Sequence, residues 1–434
     1  MHYGRLIHGM GAAILMMGSM AFAASAPGDW PGWLGPNRDN KSTDTGLLKE
    51  WPANGPKLVW KADGIGHGYS TVAVVDGVVY TVGDVGELAG PYPQSAQVKI
   101  GPGAMTLFAF DVKSGKLLWK TEHGPVWTKD RVGSRTTPVV SDGKVYVEGA
   151  DGSVACYDAK TGAQVWKHML SEFGGKGGNW GYAESVLIYK DLAVVTPGGR
   201  STTLVALDKN TGKEVWKSQG TNADAQYGSP LAFTHDGVEA IIVGTKAGLV
   251  CVSAKDGSTF FTNAFAANNT ANCPTPAYSD GYIFWSNGYN KGGICLKISA
   301  AGGKLSAEEA WRTMDMVTHH GGYVIHEGYI YGNHANGFAC LELKTGKKMW
   351  FEQAVGKGSI CYADGMLYLF GENGGKVALA TCSPKGLEIK GRFQVDGAGP
   401  SWAHPVVAGG RLYLRYDTNL YCYDVKGEKL AVNR

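Results

Sequence analysis

Several short clusters in the chain bring aromatic, basic, imidazole and carboxylate side chains close together along the sequence. Aromatic rings beside hydrogen-bonding groups suit a small planar or sugar-like ligand, because rings stack while polar groups fix orientation. The candidates for such a binding site are His67, Tyr69, Arg135, Trp180, Glu184, Gln226, His320, Trp402 and His404. The alternative is that these side chains line a water-filled channel and only satisfy its hydrogen bonds. The sequence assigns none of them a catalytic role.

The adjacent pair His319-His320 suggests a metal site, but the sequence argues against one. Neighbouring residues of a strand point to opposite faces, so both imidazoles are not expected to reach one ion. No third ligand follows at a spacing typical of zinc sites. The sequence also lacks a nucleophile-elbow serine and a phosphate-binding glycine loop before a helix. We therefore predict a site without metal ligands.

The elements that would position these residues follow from a repeated motif of acid, glycine and tryptophan. Apolar hairpins with turns such as Asp76-Gly77 and Asp142-Gly143 recur along the chain beside these copies, and such turns suit residues that tolerate positive φ. A period of roughly 40–50 residues is that of a four-stranded propeller blade. The first strand of each blade then lines the central channel, and the candidate residues precede those strands. The copies are Asp111–Lys120 (DVKSGKLLWK), Asp158–Lys167 (DAKTGAQVWK), Asp208–Lys217 (DKNTGKEVWK) and, more weakly, Glu342–Trp350 (ELKTGKKMW).

The number of blades follows from the aromatic residues that end the repeats. Trp60 near the N-terminus has no hairpin of its own, and placing its strand in the last blade gives eight aromatics for eight hairpins. This closure also removes exposed sheet edges. We predict an all-β, eight-bladed propeller of four-stranded antiparallel blades, with seven blades as the alternative. Each tryptophan should cover the glycine turn of the next blade, and each acid should accept backbone N–H groups of that turn.

Composition limits the class and location of the protein. Only 18% of the residues are charged, the net charge is +3 and no basic stripe is present, so we expect no nucleic-acid partner. Residues 1–26 resemble an export signal, because Arg5 precedes an uncharged stretch that ends in small residues. We expect a periplasmic or secreted protein without a stable membrane span after cleavage, and a retained anchor is the alternative.

The eight cysteines are expected to be mostly free thiols. Five of them occupy the same small-residue position in the third strand of different blades. Neighbouring sheets lie about 10 Å apart, which is beyond the reach of a disulfide. These five are Cys156, Cys251, Cys295, Cys340 and Cys422.

The frame Asp-x-x-Thr-Gly-x-x-x-Trp-Lys resembles the tryptophan-docking repeat of the pyrroloquinoline-quinone (PQQ) propeller superfamily. That group includes quinoprotein alcohol dehydrogenases and the periplasmic lipoprotein that assists outer-membrane β-barrel assembly. The stretch Trp33–Asp39 (WLGPNRD) is similar to the start of exported bacterial PQQ-like proteins. The resemblance covers nearly the whole chain after the signal and implies three regions: a signal peptide (1–26), an N-terminal extension (27–57) and an eight-bladed propeller (58–434).

The resemblance implies two functions. One is a non-catalytic binding or scaffold module that uses the channel mouth or rim for a protein, peptide or glycan. The alternative is a PQQ-dependent alcohol or sugar dehydrogenase, in which Glu184 beside Trp180 would imitate a calcium ligand and Arg135 would meet a cofactor carboxylate. The dehydrogenases use a disulfide of adjacent cysteines, and this chain has neither a Cys-Cys pair nor a Cys-x-x-Cys-His haem motif. No cofactor is certain, and PQQ with calcium belongs to the alternative.

Overall fold

Each predicted repeat forms one four-stranded antiparallel sheet. The computed structural model describes residues 26–88, 100–129 and 131–427, and within them 32 strands form eight such sheets arranged as blades. The first strands of neighbouring blades contact one another and surround the channel. The predicted eight-bladed, all-β fold is confirmed. A single turn of 3-10 helix, Leu170–Phe173, follows β9.

The strands are given by their place in the blade, from the channel outward. The first strands are β2 (Ala73–Val75), β6 (Val139–Ser141), β10 (Leu187–Tyr189), β14 (Leu231–His235), β18 (Ala277–Ser279), β22 (Tyr323–His326), β26 (Gly358–Ala363) and β30 (Val406–Ala408). The second are β3 (Val78–Leu88), β7 (Lys144–Glu148), β11 (Leu192–Val195), β15 (Val238–Thr245), β19 (Tyr282–Asn287), β23 (Tyr329–His334), β27 (Met366–Gly371) and β31 (Arg411–Tyr416). The third are β4 (Ile100–Asp111), β8 (Ser153–Asp158), β12 (Val205–Asp208), β16 (Gly248–Ser253), β20 (Gly292–Ala301), β24 (Gly337–Glu342), β28 (Lys376–Thr381) and β32 (Asn419–Asp424). The outermost are β5 (Leu117–Pro125), β9 (Gln164–Met169), β13 (Glu214–Lys217), β17 (Thr259–Asn263), β21 (Lys304–Thr313), β25 (Lys348–Glu352), β29 (Ile389–Gln394) and, in the last blade, β1 (Lys57–Ala62).

The ring closes as predicted, with strands from both parts of the chain in one blade. Strand β1 pairs antiparallel with β32, and Trp60 lies opposite Cys422. The indole of Trp60 lies on Gly115 of the first blade, and its Nε1 donates to Val112 O at 3.0 Å. This closure covers the edge of β32 that would otherwise be open.

The repeated motif fastens neighbouring blades together, as predicted. Trp166 lies against Gly212 of the next blade, and its Nε1 donates to Lys209 O at 3.0 Å. Within the motif, Asp158 Oδ1 accepts the backbone N–H of Thr161 at 2.8 Å and its hydroxyl at 2.7 Å. These residues therefore stabilise the ring and lie away from the channel.

All eight cysteines are unpaired, in agreement with the prediction of mostly free thiols. We expect eight titratable thiols when the protein is unfolded in denaturant without reductant, and far slower labelling of the folded protein because six of the eight are buried. A titre clearly below eight would show a disulfide and contradict this arrangement.

Residues 26–56, called here the N-terminal segment, cross one end of the channel. The segment contacts the first strands near their turns into the second strands, and Leu47 N donates to Asp364 Oδ2 of one such turn at 2.9 Å. That end of the channel is therefore covered, and the opposite end holds the starts of the first strands. Backbone hydrogen bonds of the N-terminal segment join Trp30 to Val74, Pro31 to Val140, and both Asn40 and Ser42 to Tyr362.

In the described part of the chain, no helix is long and apolar enough to cross a membrane. The predicted signal segment, apart from its last residue, lies outside the described residues.

Candidate functional site

A pocket with a volume of about 160 Å³ lies in the channel at the end where the first strands begin. Trp33 of the N-terminal segment belongs to its lining, so the pocket is blind on the side that the segment covers. Six of the lining residues are aromatic, two are arginines and two are histidines, and none of the described ones is Asp or Glu. The lining consists of Trp33, Tyr69, Arg131, Arg135, Trp180, Ala183, Ser185, Tyr227, Ser229, Ala271, Cys273, Tyr289, His319, His320 and Trp402.

One position of the repeat supplies a residue from every blade. It lies seven residues before the positive-φ residue that begins the turn between the first and second strands, as Tyr69 precedes Asp76. Seven of these eight residues line the pocket. The eighth residue, Lys357, contacts His319 of the lining. All eight blades therefore place this residue in the pocket or next to it. In chain order the position holds Tyr69, Arg135, Ala183, Ser229, Cys273, His320, Lys357 and Trp402.

The structure brings five of the nine sequence candidates together in this pocket: Tyr69, Arg135, Trp180, His320 and Trp402. The rings of Tyr69, Trp402 and His320 form a connected wall. The ring centroid of Trp402 lies 4.5 Å from that of Tyr69 and 4.3 Å from that of His320. Across the pocket, Trp180 and Tyr227 have ring centroids 5.7 Å apart.

Three other candidates lie behind the lining. His67 Nδ1 is 2.8 Å from Asp417 Oδ1 and so joins the first blade to the last. Gln226 is buried, and its Oε1 accepts the backbone N–H of Asn272 at 3.1 Å. His404 is buried with its Nε2 2.9 Å from His320 O and its ring 4.6 Å from that of Trp33. These residues support the pocket wall without facing the pocket.

The ninth candidate, Glu184, points away from the pocket into the protein. Its Oε1 accepts the backbone N–H of Thr196 at 2.5 Å, and its carboxyl group lies beside that of Glu148. Both carboxyl groups are buried, at 2% and 1% exposure, and burial raises the pKa of each, that of Glu184 to about 7. The nearby guanidinium of Arg38 opposes this shift in Glu184. Glu184 therefore lies in the protein interior and does not face the pocket.

Ten of the fifteen lining residues were not among the nine sequence candidates, and two of these ten lie outside the segments that precede the first strands. Trp33 comes from the N-terminal segment, and its Nε1 donates to Thr275 Oγ1 at 2.9 Å. Tyr289 comes from the turn between β19 and β20, where it adopts a φ of 57°, and its hydroxyl lies 3.0 Å from His319 Nε2. The spacing of seven residues before the first turn would have predicted Cys273 and Lys357 from the sequence. It cannot predict residues that other segments contribute to the pocket.

The two adjacent histidines share one side of the pocket, and the expectation that they point to opposite faces is wrong. They lie in a bend before β22, where strand alternation does not apply, and their ring centroids are 3.6 Å apart. Burial and the charges of Lys357 and Arg131 lower the pKa of His319 to about 3, and the pKa of His320 is also well below its ordinary value. Both imidazoles are therefore neutral at pH 7.

The donor atoms of His319, His320 and Glu372 lie within 4.8 Å of one another, close enough for one cation. The ammonium of Lys357 already takes that place, because it contacts His319 Nδ1 and lies 3.0 Å from Glu372 Oε2. We assign the donors of His319 and Glu372 to the ammonium and not to a metal ion. The absence of a metal site stays a prediction from the sequence.

The amino-acid sequence of this chain is similar to those of a known family and of a known enzyme. A sequence family described as outer membrane protein assembly factor BamB matches residues 104–352. The tetrathionate hydrolase of Acidithiobacillus ferrooxidans is 23% identical over 385 residues, which are 82% of this chain and 64% of the hydrolase. The chain therefore spans slightly less than two thirds of that relative's length.

Two of the solved structures that share the fold illustrate the likeness. BamB from Moraxella catarrhalis has a TM-score of 0.59 at 15% identity, over 86% of this chain and 98% of that one. The quinohemoprotein alcohol dehydrogenase of Comamonas testosteroni has a TM-score of 0.52 at 14% identity, over 94% of this chain and 82% of that one. At such identities the likeness concerns the fold alone.

Proposed function

Because this chain belongs to the PQQ-repeat family described as outer membrane protein assembly factor BamB, we propose that it is a non-catalytic binding module whose channel mouth holds a small ring-containing ligand. The observation that carries this proposal is the blind pocket with six aromatic side chains among its lining residues. Aromatic walls with a few convergent polar groups are typical of small-molecule sites. Export to the periplasm or beyond, predicted from residues 1–26, is part of the proposal.

The pocket favours a small molecule over a passing chain. Trp33 belongs to the pocket lining and is held by contacts with Thr275 and His404, and the N-terminal segment crosses that end of the channel, so we do not expect a peptide or glycan to thread through it. A terminal ring of a glycan or an aromatic side chain of a protein partner would have to enter from the open end. We therefore propose that the ligand binds in the pocket and enters it past the rim of the channel.

The dehydrogenase alternative is less well supported by the residues present. Calcium prefers oxygen ligands such as carboxylates, yet no described lining residue is Asp or Glu. Glu184, the candidate calcium ligand, is buried beside Glu148 and accepts a hydrogen bond from Thr196. The residues present thus do not fit PQQ with calcium. With both supplied, we expect no reduction of an electron-acceptor dye by alcohols above a protein-free control.

Two naphthalene probes of nearly equal size test the proposal: neutral 2-naphthalenesulfonamide and anionic 2-naphthalenesulfonate. We expect at least one of them to raise the melting temperature at near-millimolar concentration, because a ligand of the folded state stabilises it by mass action. Replacing Trp402 by alanine should weaken binding by roughly tenfold or more, since a stacked ring pair contributes about 1 kcal/mol beyond its buried area.

The matched control is Phe351→Ala, which removes a half-exposed ring from the outermost strand β25. This variant should bind both probes as the unmodified protein does. If neither probe binds, or if both variants lose affinity equally, the pocket is not a ligand site and the proposed function is wrong.

A further inference from the structure

A chain of hydrogen bonds runs along one side of the pocket and joins three blades. Its first member, Glu372, follows β27, and its Oε2 lies 3.0 Å from the ammonium of Lys357. The backbone N–H of Glu372 also donates to Lys357 O at 2.7 Å, so backbone and side chain both join these two residues. The ammonium contacts His319 Nδ1, and His319 Nε2 lies 3.0 Å from the hydroxyl oxygen of Tyr289. The chain therefore ends at a residue of the pocket lining.

The direction of each hydrogen bond in this chain follows from its members. An ammonium group only donates, so Lys357 is the donor to His319 Nδ1. Burial lowers the pKa of His319 to about 3, so its ring is neutral at pH 7 and carries one proton. Because Nδ1 accepts, that proton is on Nε2 and is donated to the oxygen of Tyr289. The hydroxyl proton of Tyr289 is therefore left for another acceptor.

Tyr289 is placed to donate that proton to a ligand. It lies in the turn between β19 and β20, belongs to the pocket lining and is 49% exposed. Its ring meets that of His319 edge to face, with ring centroids 5.1 Å apart, and this contact holds the orientation of the hydroxyl. Burial raises the pKa of the Tyr289 hydroxyl, so the group keeps its proton at pH 7. Within the described residues, its one hydrogen-bond partner is His319, which occupies the oxygen and not the proton.

We propose that this chain makes Tyr289 a hydrogen-bond donor that selects ligands with an uncharged acceptor oxygen, such as that of a ketone or an ether, on this side of the pocket. The inference rests on the proposed function, since it names a specificity-determining residue of the same pocket. Hydrogen bonds in a chain polarise one another, so donation from Lys357 through His319 strengthens the donation by Tyr289. A hydrocarbon group of the same shape would leave the Tyr289 proton without a ligand partner.

The tautomer of His319 is measurable without any ligand. Magnetic resonance of the protein with isotope-labelled histidine nitrogen distinguishes a protonated Nε2 from a protonated Nδ1, and His319→Asn identifies the signals of this ring. We expect the proton on Nε2 at pH 7. Lys357→Met removes the donor to Nδ1 and should shift the Nδ1 resonance, whereas Lys348→Met, in the exposed ion pair with Asp315, should not. A proton on Nδ1 in the unmodified protein would overturn the inference.

Two uncharged probes of nearly equal shape test the ligand preference: 2-acetylnaphthalene, which carries an acceptor oxygen, and 2-isopropenylnaphthalene, which carries none. Because one neutral hydrogen bond distinguishes them, the ketone should bind about fivefold more tightly in titrations followed by tryptophan fluorescence. Tyr289→Phe should remove this preference and leave the affinity for 2-isopropenylnaphthalene within about twofold. The matched control is Tyr282→Phe, which removes a hydroxyl outside the pocket from β19 of the same blade and should change neither affinity.

The outcomes separate this inference from the proposed function. Equal affinity of the unmodified protein for the two probes would overturn the inference and leave the proposed function standing, because both probes would still bind in the pocket. A preference for the ketone that persists in Tyr289→Phe would assign it to another donor and would also overturn the inference. If neither probe binds to the unmodified protein, both the inference and the proposed function are wrong.

Discussion

Replacing Trp166 by alanine is expected to lower the free energy of unfolding by about 3–5 kcal/mol, the range for removing a large buried aromatic side chain. The indole is 7% exposed and lies on Gly212 of the next blade, where its Nε1 donates to Lys209 O at 3.0 Å. Gly212 has a φ of 73° and carries no side chain that could fill the space left by the indole. Denaturant unfolding followed by tryptophan fluorescence measures the effect.

Two variants separate the contributions of this residue. Trp166→Phe keeps a ring on Gly212 but removes the donor, so it should cost clearly less than Trp166→Ala. Val165→Ala changes the neighbouring side chain, which is 48% exposed, and should cost less than about 0.5 kcal/mol. If Trp166→Ala were as mild as Val165→Ala, the repeated tryptophan would not be what fastens the blades.

Replacing Arg38 by methionine is expected to cost about 2 kcal/mol at pH 8, because it removes the charged donor to Ser185 O and the positive charge that favours the ionised form of Glu184. Arg38 is buried, its Nη2 donates to Ser185 O at 2.7 Å, and its charge favours the ionised form of Glu184. Through this contact the N-terminal segment is anchored across the channel. The double variant Arg38→Met, Glu184→Gln should recover much of the loss.

The pH dependence of this loss has a definite sign. The pKa of Glu184 is raised from 4.5 to about 7, so the folded protein keeps a proton that the unfolded chain releases. Its contribution to stability is therefore fully present below pH 4.5 and is lost as pH rises through 7. Without Arg38 the pKa rises further, and the cost of Arg38→Met should be smaller at pH 5 than at pH 8. A cost that is greater at pH 5 would contradict this arrangement.

The fold was predictable because the motif that indicates it occurs several times in the sequence. The motif around Asp158 and Trp166 is local, its chemistry fits a turn and an inter-blade contact, and its copies fix the period. Closure by Trp60 followed from counting, since one aromatic had no hairpin of its own. Each copy alone is a weak indication of a propeller blade, but the copies together predict the architecture.

The site was predictable where the segments just before the first strands reach it. Tyr69, Arg135, His320 and Trp402 share the position seven residues before the first turn, and the strand starts indicated them. Glu184 comes one residue after that position, and no local pattern shows that its side chain turns into the protein. Such a direction depends on partners distant in sequence.

Contacts between distant segments account for the remaining differences. Trp33 reaches the pocket because the N-terminal segment crosses the channel, and its partner Thr275 lies far along the chain. His319 and His320 come together because a bend replaces strand geometry before β22. Neither arrangement leaves a periodic signal in the sequence.

A crystal structure of the protein with 2-naphthalenesulfonate tests the central claim most directly, since that claim is that the blind pocket at the strand starts is the ligand site. We predict electron density for the naphthalene ring in this pocket, packed against Trp402. Density for the probe on the outer surface or the rim, with this pocket holding only water, would contradict the account.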